Sequence, residues 1–66
     1  MNAYSTMKKL IANLNDKYAM RRITEASYTA TAATYKTRLD VFFGMGRMTA
    51  EEYNELMGQI KTFEEE

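Results

Sequence analysis

The chain has 66 residues, 9 basic and 9 acidic, with neither cysteine nor histidine. That composition excludes a disulfide framework and the usual zinc sites, and it leaves too little bulk to enclose a desolvated pocket, so no enzyme, cofactor or metal ion is expected. A chain this short buries only about 60% of the surface its unfolded form exposes, and without staples oligomerisation is the remaining way to add stability.

A first helix is predicted over about residues 2 to 20. Asn2 is a good N-cap, and Tyr4, Met7, Ile11, Leu14 and Tyr18 recur at spacings of three and four, with Ala3 and Leu10 at the margin. Ser5, Lys9, Ala12 and Asp16 take the opposite side. Lys8 and Lys9 precede the few apolar residues here, and the polar Asn13, Asn15 and Asp16 break up the remainder of the helix, so neither a signal peptide nor a membrane span is read and a cytoplasmic location is expected.

A second helix is predicted over residues 25 to 43, opened by Thr24 and left through Gly44 and Gly46. Tyr28, Ala32, Tyr35, Leu39 and Phe42 form a heptad seam. The far face, Ala26, Ala30, Ala33, Thr37 and Val41, is also free of charge. Two uncharged faces admit two readings: the helix lies between the other two, or Ala26, Ala30, Ala33 and Thr37 form a homo-oligomer interface. Five threonines disfavour helix, each by up to about 0.7 kcal/mol relative to alanine, but the spacing of the large residues and the absence of a partner strand decide for it.

The third helix is predicted over residues 50 to 63. Thr49 and Glu52 make a capping box, and Tyr53, Leu56, Met57, Ile60 and Phe63 form the apolar face. Gly58 interrupts it at a cost of about 1 kcal/mol, so either the helix frays beyond Met57 or a neighbour packs closely on Gly58. Glu64, Glu65 and Glu66 are expected to be solvated, because like charges at a negative helix end repel.

One motif recurs at an offset of 25 residues: Leu14-x-x-x-Tyr18-x-Met20-x-Arg22-Ile23-Thr24-x-x-x-Tyr28 returns as Leu39-x-x-x-Phe43-x-Met45-x-Arg47-Met48-Thr49-x-x-x-Tyr53. A weaker echo pairs Tyr35-Lys36-Thr37 with Ile60-Lys61-Thr62. The pattern in each copy is helix, turn, helix, and the chain reads as a single all-α domain, a small three-helix antiparallel bundle. Charge is uneven along it: the first 24 residues carry Lys8, Lys9, Lys17, Arg21 and Arg22 against Asp16, whereas Glu51, Glu52 and Glu55 dominate the third helix. Opposite fields favour packing of the first helix on the third, within one molecule or across a dimer; a basic or acidic partner is the alternative.

Leu39-Asp40-Val41-Phe42-Phe43 followed by Gly46-Arg47-Met48-Thr49-Ala50-Glu51-Glu52-Tyr53 resembles the short helical-hairpin modules called SHOCT domains. The same stretch is similar to the small XkdX-type proteins of phage tail operons, with Met57-Gly58 matching their terminal glycine. The resemblance covers residues 39 to 60; Arg21 stands where the first copy would need the glycine. It implies an interaction or oligomerisation module encoded by a phage or mobile element and transfers no catalytic residue.

The function expected is therefore that of a non-enzymatic protein-binding module that self-associates, such as an inhibitor of a host defence or regulatory protein. Phe43 and Met45 are its candidate anchors, with Arg47, Glu51 and Glu55 beside them and the glutamates steering a basic partner. Glu51 and Glu55, four apart, read as solvated surface and not as a metal site. The alternative is a DNA- or RNA-binding regulator using Lys8, Lys9, Arg21 and Arg22. Those residues scatter around the helix, the chain has no basic excess, and the equivalent places of Arg22 and Arg47 favour a structural duty at helix ends.

Overall fold

Thr24, Thr49 and Asn2 all sit in extended backbone immediately before a helix, which is where a side-chain oxygen can reach the free amides of the first turn. In the computed structural model, which describes residues 2 to 63, those helices are α1 (Ala3–Ala19), α2 (Glu25–Gly44) and α3 (Ala50–Gln59). Asn2 accepts from the Ser5 N–H at 2.8 Å and Thr24 from the Ser27 N–H at 3.1 Å. Thr49 and Glu52 form the reciprocal box, both bonds at 3.0 Å. The expectation for residues 64 to 66 lies outside the described residues.

Both interhelical turns end their helix in the same way. Arg22 N–H reaches Lys17 C=O at 2.8 Å and Arg21 N–H reaches Tyr18 C=O at 3.0 Å; at the second turn Arg47 N–H reaches Phe42 C=O at 2.9 Å and Gly46 N–H reaches Phe43 C=O at 3.0 Å. These are Schellman closures, which need one residue in left-handed backbone. Gly46 supplies it at φ 74°, and Arg21, at the equivalent place, is forced into it at φ 58°. The structural duty expected of Arg22 and Arg47 is performed by their backbone amides.

Burial follows the predicted stripes. Met7, Ile11 and Leu14 of α1, Tyr28, Ala32 and Leu39 of α2 and Leu56 of α3 form the core, with Met48 from the second turn and Ile60. Each large side chain so buried contributes roughly 1.5–3 kcal/mol of transfer free energy. α1 packs on both other helices and α2 on α3, which closes a three-helix bundle.

Two expectations are corrected. α2 is not covered on both faces: α1 and α3 lie against its Tyr28, Ala32 and Leu39 side, and Ala26, Ala30, Ala33, Thr37 and Val41 remain exposed. α3 does not run to residue 63; it passes through Gly58, where a Cβ would meet nothing within 4 Å, and stops at Gln59. Ile60 is extended, at φ −78° and ψ 124°, so its echo of helical Tyr35 has no structural counterpart.

A polar node causes that stop. Asn15 Nδ2 donates to the Gln59 carbonyl at 2.9 Å, and the Lys61 N–H donates to the Tyr28 hydroxyl at 2.8 Å. Tyr28 in turn donates to Asn15 Oδ1. The backbone groups that would extend α3 are thereby satisfied by α1 and α2, so residues 60 to 63 turn across α2 and bring Phe63 onto Tyr18 and Tyr28.

Candidate interaction surface

The second turn projects the candidate anchors. Phe43 lies in the last turn of α2 and Met45 is its C-cap; they are 42% and 61% exposed, large values for apolar side chains beside an available core. Phe43 is not loose, because its ring stacks on Tyr53 of α3 with centroids 4.8 Å apart and planes inclined by 25°. The Tyr53 hydroxyl donates to Asp40 Oδ1. This bond to a carboxylate, with a smaller contribution from burial, holds the Tyr53 phenol above its ordinary pKa. Arg47 and Glu51 are exposed on either side of the Thr49 cap.

Glu55 is engaged within the chain. Tyr4 donates to Glu55 Oε2 at 2.6 Å, Lys8 donates to Tyr4 at 3.3 Å, and the Lys8 ammonium lies 3.9 Å from the same carboxylate oxygen. Lys8 is raised above the ordinary lysine pKa, first by its bond to Tyr4 and then by the Glu55 charge. The opposed charges of α1 and α3 thus meet in one molecule, and Glu55 is bound into the bundle surface whereas Glu51 is not.

The nucleic-acid candidates are not brought together. Lys8 is held by Tyr4 and Glu55, and Arg21 and Arg22 stand at the first turn, roughly 20 Å further along α1. Lys9 is exposed, about a quarter turn around the helix from Lys8.

The oligomer candidates form an open, uncharged stripe along α2. Thr37 donates to Ala33 C=O at 3.1 Å and Thr34 to Ala30 C=O at 3.4 Å, so their hydroxyls are returned to the backbone and the stripe presents methyl groups. Ala26 and Ala30 also border a shallow hollow closed at one side by Phe63.

Sequence reasoning overlooked Asn15, Asp40 and Met20. Asn15 and Asp40 are also 25 residues apart, as are Tyr28 and Tyr53, and each tyrosine donates to the Asx residue of its own copy. Met20, the C-cap equivalent to Met45, is 65% exposed. Extending the repeat register by one position beyond Leu14 and Leu39 would have found both Asx residues.

Compared with protein-family models, with curated proteins and with solved structures, the chain matches none. No group of three or more acidic residues that could hold a metal ion, and no helix long and apolar enough to cross a membrane, occurs among the described residues.

Proposed function

We propose that the chain is a non-enzymatic protein-interaction module that docks through the turn between α2 and α3 and self-associates through the open face of α2. The observation that carries this reading is the rigid presentation of apolar side chains at that turn: Phe43 is held by Tyr53, Tyr53 is held by Asp40, and Met45 stands out beside them. Pre-ordered aromatic anchors lose little side-chain entropy on binding, and a charged border such as Arg47 and Glu51 sets orientation. The resemblance of residues 39 to 60 to phage-encoded hairpin modules points the same way and suggests a mobile-element accessory protein, for example an inhibitor of a host defence or regulatory protein.

Affinity capture from host lysate, run beside binding to generic duplex and single-stranded DNA and RNA over a salt series, tests this. A captured protein lost on Phe43→Ala and kept on Lys9→Ala is the expected result. Micromolar nucleic-acid binding that weakens steeply with salt and disappears when Lys9, Arg21 and Arg22 are neutralised would replace it with the regulator reading. For the self-association part, sedimentation should report more than one chain per particle, reduced by Ala33→Glu.

A further inference from the structure

The two copies of the repeat pair the same positions, a tyrosine against an aromatic ring and an Asx oxygen, with ring planes inclined by 58° in the first and 25° in the second, and among the described residues only the first pair is covered. In the first, Tyr28 lies against Tyr18 with ring centroids 5.3 Å apart and donates to Asn15. In the second, Tyr53 lies against Phe43 and donates to Asp40. The first device grips an extended segment: Phe63 places its ring 5.1 Å from Tyr18 and 5.5 Å from Tyr28, and the Lys61 N–H donates to the Tyr28 hydroxyl. Tyr28 is consequently fully buried. No third ring from the described residues meets Phe43 and Tyr53, and no backbone N–H among them donates to the Tyr53 hydroxyl, whose acceptor capacity is unused by them.

We propose that Phe43, Tyr53 and Asp40 bind an extended peptide of another protein that carries an aromatic residue beside a basic one, in the manner in which Tyr18, Tyr28 and Asn15 hold Lys61-Thr62-Phe63. The proposal rests on the interaction-module reading and names the partner's chemistry. The aromatic residue is implied by the filled device, where the Phe63 ring completes an aromatic cluster with Tyr18 and Tyr28. The basic residue is implied by the difference between the two. Asn15 both accepts, from Tyr28, and donates, to the Gln59 carbonyl. Asp40 has only acceptor oxygens and a negative charge, so an incoming segment must bring donors, from backbone N–H groups and a Lys or Arg side chain. A second copy of the chain is the wrong occupant: its residues 61 to 63 already sit on its own first device, and Phe63 is followed by Glu64-Glu65-Glu66, of the same sign as Asp40.

The test uses the full chain and three synthetic peptides: Gln-Ile-Lys-Thr-Phe followed by three lysines, the same peptide with Phe replaced by Ala, and the same peptide ending in three glutamates. Binding is read by amide chemical-shift titration. The lysine peptide should bind with shifts centred on Phe43, Tyr53 and Asp40. The alanine and glutamate peptides should bind at least about tenfold more weakly. Asp40→Asn, which retains the Tyr53 acceptor, should cost the lysine peptide about tenfold and remove its advantage over the glutamate peptide; Phe43→Ala should abolish binding with helical circular dichroism unchanged.

Shifts centred on Tyr18 and Tyr28, or binding indifferent to both substitutions, would overturn the proposal. So would self-association lost in Asp40→Asn, because a second copy would then be the occupant. If no peptide binds while Phe43→Ala still releases a captured protein, the peptide chemistry is wrong and the interaction module stands. If neither is seen, both fall.

Discussion

Replacing Tyr28 by Phe should be among the most damaging single-atom deletions in the molecule, and replacing Tyr53 by Phe should not. The Tyr28 hydroxyl is the only described group that ties all three parts of the fold at one atom: it donates to Asn15 of α1, accepts from the Lys61 N–H after α3, and belongs to a fully buried residue of α2. Its removal leaves Asn15 Oδ1 and the Lys61 N–H without those partners. A fully buried orphan costs about 1–3 kcal/mol, and partial access of water at this node brings the pair to roughly 2–4 kcal/mol. A domain of this length has a total stability of roughly 3–10 kcal/mol. For so small a domain each kcal/mol moves the midpoint by about 4–8 °C, so thermal unfolding followed by circular dichroism should fall by at least about 8 °C. Residues 60 to 63 should also lose protection from amide exchange before the helices do. Tyr53→Phe, at the equivalent place in the repeat, removes one exposed bond to Asp40 and should shift the midpoint less. Equal shifts for the two variants, or a silent Tyr28→Phe, would refute the assignment of the Tyr28 node as the lock on the C-terminal segment.

The two Schellman turns predict opposite responses: Arg21→Gly should stabilise by up to about 1 kcal/mol and Gly46→Ala should destabilise by about 1–2 kcal/mol, read from denaturant midpoints. Thr24→Ala and Thr49→Ala should each lose about 0.5–2 kcal/mol, because each strands one first-turn N–H, of Ser27 or of Glu52, while the bond from the backbone N–H at 49 to the Glu52 carboxylate survives. Lys8 and Tyr53 both have folded pKa values above their ordinary 10.5 and 10.0, so their stabilisation is complete below about pH 10 and is lost as pH rises through the raised values. Unfolding measured between about pH 8 and 12 should therefore show an alkaline decline that is shallower in Tyr53→Phe and in Lys8→Met than in the parent.

Legible in the sequence were the features set by neighbours along the chain. An N-cap acts over three residues and a Schellman turn over five, so Asn2, Thr24, Thr49 and Gly46 could be placed from spacing, and the three-four recurrence of apolar residues picked out Met7, Ile11, Leu14, Tyr28, Leu39 and Leu56 as core. The exposure of Phe43 and Met45 was legible for the same reason, since they fall where the helix pattern runs out. The end of α3 was not, because the groups that stop it, Asn15 and the Tyr28 hydroxyl, are 44 and 33 residues from the backbone they capture. Nor could periodicity decide which uncharged face of α2 would be covered. Ala32 and Ala33 are adjacent, of equal size and equal hydropathy; one is buried and the other exposed only because α1 and α3 approach from the side on which Tyr28 and Leu39 offer the larger apolar area to remove from water.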